Sequence, residues 1–301
     1  MKTLSINRII IAAIAIFFAT ILYSCQKETS LNPSPAVSEE DAKTFSNESA
    51  QVEASFDDAE DISMTAAEEE GDASTYGRPS NGNNFLPTFE ELRLRIGNCA
   101  TITVTPNDST YPKTVTIDFG DGCWCADGKH RKGAIILYLT GPIRRPGSVL
   151  TITFRDFYLN RAHIEGTKII SNLSENGAIK FTVQVVNGKV TFPNGRGFTN
   201  NSLKYVRQVE GASTRIVRDD VYKIEGRSNT KFNGGLEITL NTETALVKKV
   251  ACPWISDGIL KIKINDRVLF LDYGAPNNGD CDNKALLKWN NGNNQLLIEL
   301  P

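Results

Sequence analysis

Apolar and polar residues alternate along most of the chain after residue 97. Over 179–185, for example, Ile, Phe and Val are separated by Lys, Thr and Gln. A period of two is typical of a strand with one face in the core and the other in water. The same period recurs at 102–104, 115–119, 150–154, 236–240 and 260–264. We therefore predict about a dozen strands in this part of the chain.

Asn-Gly pairs separate the predicted strands, at 187–188, 194–195, 233–234 and 291–292. Asn-Gly favours a type I′ hairpin turn, because both residues adopt positive φ at little cost. Strands joined by tight hairpins pair antiparallel. We expect residues 97–301 to form an all-β, mainly antiparallel domain, built either as a meander or as a two-sheet sandwich.

The first 24 residues have the pattern of a signal peptide. Lys2 and Arg8 precede a nearly pure apolar run from 9 to 22, which is short for a membrane span. The run ends in Leu22-Tyr-Ser-Cys25, which resembles the lipobox of bacterial lipoproteins. The resemblance implies cleavage before Cys25 and fatty acylation, including palmitate, of that cysteine. An uncleaved helical anchor is the alternative.

The membrane partner implied by this signal is the outer membrane, reached through the lipid on Cys25. Residue 26 is Gln, so the Asp that usually retains a lipoprotein in the inner membrane is missing. Lys27-Glu28 is similar to the short signal that follows the acylated cysteine in surface lipoproteins. We therefore predict an outer-membrane lipoprotein that is exposed at the cell surface.

The near-neutral net charge of −2 hides two segments of opposite sign. Residues 26–77 hold 14 acidic residues against two lysines, whereas 78–301 hold 29 basic residues against 21 acidic ones. The overall balance argues against a nucleic-acid partner. The acidic composition of 25–96 predicts a flexible tether. Helical spacing allows a short helix at 50–63, either docked on the positive domain or solvated, and the composition favours the solvated form.

Several strings in the chain resemble one family of proteins. They are 116–120, 127–133, 147–154, 185–190, 220–222, 271–274 and 281–284. Together with the lipobox, they are similar to an uncharacterised family of Gram-negative (Bacteroides-type) outer-membrane or surface lipoproteins of unassigned function. The resemblance covers about residues 97–300 and implies no activity, cofactor or catalytic residue.

Five cysteines remain once Cys25 is assigned to the lipid anchor. An exported protein meets an oxidising environment, in which disulfides are expected. We favour a Cys252–Cys281 bridge within the C-terminal strands. Cys99 is then expected to pair with Cys123 or Cys125, which leaves one thiol free. A Cys123–Cys125 bridge is disfavoured, since alternate Cα atoms in a strand approach the upper distance limit.

Two kinds of metal site fit the sequence only weakly. Cys99, Cys123, Cys125 and His130 have the ligand types of a zinc site, although an oxidising compartment favours disulfides instead. Calcium could bind loop aspartates, which are equally common in β-turns. The calcium candidates are Asp118, Asp121 and Asp127 in one loop, and Asp272, Asp280 and Asp282 in another.

Binding is better supported than catalysis. Trp124 and Trp254 lie near predicted turns and are candidates for stacking on sugar faces. Arg144 and Arg145 are candidates for an anionic glycan or lipid headgroup. Further basic residues of this kind are Lys129, Arg131, Lys132, Arg155 and Arg161.

No hydrolase, metalloprotease or phosphate-loop motif occurs in the sequence, and the chain has only two histidines, His130 and His163. We expect His130 in a solvated basic turn and His163 beside Glu165 on a strand. The residues imply no cofactor. We predict a non-enzymatic envelope lipoprotein that binds a glycan or an envelope protein, or acts as a structural spacer. An enzyme acting on envelope or extracellular polysaccharide is the alternative, since paired carboxylates distant in sequence would leave no motif.

Overall fold

The computed structural model describes residues 56, 58–73, 88–211, 219–252, 254–264, 267–275, 277–289 and 294–299. Two helices come first: α1 spans 58–73 and α2 spans Glu90–Ile96. Fourteen strands follow, and they cover most of the remaining chain. They are β1 (Thr101–Thr105), β2 (Lys113–Asp118), β3 (Cys123–Trp124), β4 (His130–Leu139), β5 (Val149–Leu159), β6 (Ala162–Asn172), β7 (Lys180–Thr191), β8 (Gly197–Glu210), β9 (Val221–Phe232), β10 (Glu237–Lys249), β11 (Asp257–Ile264), β12 (Arg267–Asp272), β13 (Lys284–Trp289) and β14 (Asn294–Glu299).

The strands form a single open antiparallel sheet in which nearly every strand lies beside its neighbours in sequence. The short β3 is the exception, because it pairs only with β4 and leaves β2 beside β4. The predicted all-β antiparallel fold is confirmed. Of the two predicted arrangements, the structure has the meander.

The alternation read from the sequence becomes two different faces of the sheet. On the inner face, side chains such as Val115, Leu137, Ile152 and Ile262 are almost completely buried. The intervening residues, such as Tyr138 and Tyr205, lie on the outer face and are about half exposed. This division leaves the outer face open for contact with a ligand.

Bulges interrupt the ladders of four successive strands, at Gly133, Asp156, Gly166 and Asn187. All four residues have positive φ, and a Cβ on Gly166 would lie 2.7 Å from the carbonyl oxygen of Asn187. Bulges bend a sheet locally and increase its twist. The turn predicted at Asn187-Gly188 is therefore wrong, because this pair forms a bulge inside β7. Turns do occur at 194–195 and 233–234, and 291–292 lies outside the described residues.

Helix α1 lies on the inner face and contradicts the prediction of a flexible tether through residue 96. Ala59, Ile62, Ala66 and Ala67 are 0% exposed and belong to the same apolar core as the strands. The helix also runs ten residues beyond the predicted end at residue 63. The composition favoured a solvated helix, but residues 58–73 form a helix that packs on the sheet.

Helix α2 is held by α1 through an unusual cap. The carboxylate of Glu69 accepts hydrogen bonds from the backbone N–H groups of Glu91 (2.9 Å) and Leu92 (3.2 Å). These N–H groups have no partner within their own helix, so a carboxylate from α1 satisfies them. Burial raises the pKa of Glu69, and the two backbone hydrogen bonds oppose that rise. No helix in the described part of the chain has both the length and the apolar character needed to cross a bilayer.

Candidate binding surface on the outer face

Buried ion pairs join helix α1 to the sheet. The basic side chains in these pairs are not available to a ligand. Arg131 on β4 is 0% exposed, and its guanidinium donates to both carboxylate oxygens of Asp58 at 2.7–3.1 Å. It also donates to both oxygens of Asp127, at 2.6 and 2.9 Å. Burial lowers the pKa of Arg131, but the hydrogen bonds to Asp127 and Asp58 outweigh burial and raise it.

Further pairs continue along α1. Lys113 on β2 contacts Glu70 at 2.8 Å with both side chains 1% exposed, and Lys168 on β6 contacts Glu60. The carboxylates of α1 therefore neutralise the positive charge of lysines on the inner face of the sheet. Additional pairs join Asp58 to Lys129 (2.6 Å), Asp61 to Arg95 (3.3 Å) and Glu68 to Arg144 (3.4 Å).

These contacts change the interpretation of the basic residues proposed as a ligand surface. Arg131 is buried in ion pairs, and Arg144 and Lys129 are paired with α1. Arg155 is paired with Asp118 at 2.6 Å. Arg145 is exposed in the β4–β5 loop. The predicted cationic surface is therefore mostly occupied by the protein's own carboxylates.

The outer face instead brings together the two histidines, the exposed Trp124 and the half-buried Tyr158. Trp124 on β3 is 74% exposed, and its ring meets that of His130 with centroids 5.4 Å apart. On the next strands, the rings of Tyr158 and His163 are stacked at 4.5 Å with 17° between their planes. The ammonium of Lys132 lies 5.9 Å from the centre of the Tyr158 ring.

We call these five residues, Trp124, His130, Lys132, Tyr158 and His163, the aromatic row. Strand register explains why they are neighbours. Trp124 pairs with His130, Lys132 with Tyr158, and Tyr158 with His163 across successive strands, and paired residues share a face. The row is thus a line of flat side chains and one cation across four successive strands of the sheet, β3 to β6.

Two charged side chains border the His163 end of the row. The Glu165 carboxylate lies 3.6 Å from Nδ1 of His163 and accepts a hydrogen bond from Lys189 at 2.7 Å. That bond from Lys189 lowers the pKa of Glu165. Glu165 and Lys189 offer a hydrogen-bond acceptor and a donor beside the stacked rings. Such groups are what a site for a polar ligand needs in addition to flat surfaces.

A disulfide holds the Trp124 end of the row in place. Cys123, next to Trp124, is bonded to Cys99 just before β1, with Cα atoms 5.9 Å apart. Gly122 lets the chain pass close to His130, because a Cβ at this position would lie only 2.8 Å from the His130 ring. The second disulfide joins Cys252 and Cys281, with Cα atoms 5.6 Å apart. The favoured pairing of Cys252 with Cys281 is confirmed, and Cys123 is the partner of Cys99.

Cys125 is the free cysteine among the described residues, and it is buried. Burial raises the pKa of its thiol, while a hydrogen bond with Arg131 opposes that rise. The Sγ atoms of Cys99, Cys123 and Cys125 lie within 4.8 Å of one another. His130, the fourth predicted zinc ligand, is not in this group and packs on Trp124 instead. The cluster is a disulfide beside one buried thiol.

Neither predicted calcium set is gathered into a site. Among the described residues, the three cysteines are the one group of three or more potential ligands whose ligand atoms come this close. Asp118, Asp272 and Asp282 accept hydrogen bonds from the N–H group two residues further on. These three aspartates therefore stabilise turns, which is the alternative to calcium binding that the sequence offered. Asp121 and Asp280 are exposed.

Trp254, the second predicted stacking residue, is half-buried and packs against the core. Sequence reasoning identified Trp124 but did not find Tyr158 or Lys132 as its companions. Only strand register shows that these side chains share a face, and bulges at Gly133 and Asp156 shift that register. The histidines were also separated in the sequence interpretation, one in a turn and one on a strand.

No protein-family model, no curated protein and no solved structure matches the chain. The resemblance to Gram-negative lipoproteins and the lipid anchor on Cys25 stay predictions, and Cys25 lies outside the described residues.

Proposed function

We propose that this protein is an outer-membrane lipoprotein, exposed at the cell surface, whose β domain binds glycan through the aromatic row. The observation that carries the proposal is the alignment of an exposed tryptophan, a stacked Tyr158–His163 pair and a lysine on one face of the sheet. The lipobox ending at Cys25 supports the anchor. The role is binding, without a covalent step.

Stacking supports glycan as the ligand class. The apolar C–H face of a sugar packs on an aromatic ring, and tryptophan and tyrosine combine such a ring with a polar group. Trp124 and Tyr158 provide two such surfaces on β3 and β5, both of which pair with β4. Glu165 and Lys189 provide hydrogen bonds to hydroxyl groups at the edge.

The row is also preorganised. Sites built on strands hold side chains more firmly than sites on loops. Here ladder hydrogen bonds join each of the row's strands to the next, with bulges at Gly133 and Asp156, and the Cys99–Cys123 disulfide fixes the two-residue β3. Little conformational entropy is therefore lost when a ligand binds.

A glycan array with the chain starting at Gln26 tests this proposal. Wild type is expected to bind a restricted set of glycans, and Trp124→Ala to weaken binding at least tenfold. Tyr138→Ala is the matched control, because Tyr138 is an exposed aromatic residue on the outer face at the opposite end of β4. That variant should bind within twofold of wild type. Equal binding by Trp124→Ala, or no glycan bound by wild type, contradicts the proposal.

A further inference from the structure

The outer face of β7–β9 carries three cations at directly opposed positions. Lys180 pairs in register with Arg207, and Arg207 pairs with Lys223. Like charges directly opposite each other destabilise a sheet unless other groups compensate them. Glu175 forms an ion pair with Lys180 at 2.7 Å. Within the described chain, no carboxylate lies within ion-pair distance of Arg207 or Lys223.

A second line of cations crosses the same face further along the sheet. Arg227, Asn241, Lys261, Phe270 and Lys288 are opposed in register on five successive strands, β9 to β13. A cation therefore recurs at every second strand. Since neighbouring strands are about 4.8 Å apart, these charges are spaced at about 9.6 Å.

The residues between the cations suit a sugar chain. Phe270 offers a ring, with the Lys261 ammonium 5.7 Å from its centre, and Asn241 offers an amide. Lys288 is partly neutralised by Asp272 at 2.8 Å. Arg227 is exposed and, like Arg207, has no carboxylate within ion-pair distance among the described residues.

We propose that this cationic face, made of Lys180, Arg207, Lys223, Arg227, Lys261 and Lys288, binds a linear acidic polysaccharide. A chain with a carboxylate on regularly repeated sugars can place its charges along the line of Arg227, Lys261 and Lys288. Its rings can lie over Phe270, and its hydroxyl groups can reach Asn241.

A single polyanionic chain fits this face better than a membrane surface. Carboxylates of Glu225, Glu237 and Asp272 lie on the same face among the cations. A continuous anionic surface would meet these carboxylates, whereas one chain can follow the cations and avoid them. The inference is independent of the aromatic row, because the two surfaces share no residue.

The test uses oligogalacturonate, a linear polymer of uronic acid, and its methyl-esterified form, which has lost the charge. The chain starting at Gln26 is titrated with each by isothermal calorimetry. Wild type is expected to bind the acid form at least tenfold more tightly than the ester. Binding should weaken with added salt, since screening acts on exposed charges.

Two triple variants locate the site. Arg207→Gln/Lys223→Gln/Arg227→Gln is expected to weaken binding of the acid form at least tenfold. Lys43→Gln/Arg78→Gln/Arg93→Gln removes the same charge from residues that precede the sheet in sequence and should change binding by less than twofold. Circular dichroism and melting temperature confirm that both variants are folded.

Equal loss in the two triple variants, or equal binding of acid and ester, overturns the proposal. A lipid surface is the ligand instead if oligogalacturonate does not bind, and if wild type binds phosphatidylglycerol vesicles more strongly than the first triple variant does. This result also overturns the proposal. Trp124→Ala should leave oligogalacturonate binding unchanged, so failure of the aromatic row and failure of the cationic face are distinguishable.

Discussion

The buried pair of Asp58 and Arg131 gives the sharpest prediction about stability. Asp58→Ala removes the carboxylate that accepts three hydrogen bonds from a guanidinium that is 0% exposed. Removing one partner of a buried pair costs about 3–5 kcal/mol, since the other charge stays buried. Arg131 keeps Asp127, so we expect the lower end, about 3 kcal/mol.

The measurement is urea unfolding followed by circular dichroism, with the free energy of unfolding taken from midpoint and slope. Glu68→Ala is the matched control on the same helix, because its partner Arg144 is 43% exposed. Exposed pairs contribute about 0–1 kcal/mol, so this variant should lose no more than that.

A double variant tests the physical reason. Arg131→Met added to Asp58→Ala removes the buried cation that has lost one of its two carboxylates, and should restore part of the lost stability. Equal losses for Asp58→Ala and Glu68→Ala would show that burial of the ion pair does not determine its contribution to stability. A double variant less stable than Asp58→Ala alone would lead to the same conclusion.

Three other predictions concern separate parts of the chain. Burial lowers the pKa of Lys248 to about 8. Between pH 8 and 10.5 the unfolded chain therefore binds more protons than the folded one, so the stability of the folded state rises with pH. Relative to Lys248→Met, the free energy of unfolding of wild type should rise by roughly 1–3 kcal/mol over this range. Urea unfolding at several pH values measures the difference. Cys252→Ser/Cys281→Ser opens a bridge between residues 29 apart in sequence and should lower the free energy of unfolding by about 3 kcal/mol; a loss below 1 kcal/mol would contradict this role. Cys25→Ser should abolish palmitate labelling in cells and release the protein from the membrane fraction, and retained label would contradict the lipobox interpretation.

The strands were predictable because their signal is local. Alternation in segments such as 179–185 reports the two faces of a sheet wherever one face is buried, and this is the case in the meander. The pair Asn187-Gly188 shows the limit of local signals. Positive φ at Asn187 serves a bulge as well as it serves a hairpin turn, and the choice depends on the neighbouring strand.

Helix α1 was not predictable from its own composition. Its carboxylates resemble those of a solvated segment, and the cations that neutralise them are far along the chain, as Arg131 is from Asp58. For the same reason the sequence suggests Arg131 as a ligand-binding cation, although it is buried. The aromatic row was found only in part, since Trp124 is visible as a single residue while Tyr158 and His163 join it through strand register.

If a glycan stacks on the aromatic row, the fluorescence of Trp124 will report its binding. Trp124 is 74% exposed and Trp254 is half-buried, so a sugar that covers the row should shift emission to shorter wavelength and protect it from iodide. We expect a saturable shift for the glycan selected on the array, present in wild type and Tyr138→Ala and absent in Trp124→Phe. A shift that persists in Trp124→Phe, or glycan binding with no change in wild-type emission, would show that the ligand does not stack on Trp124.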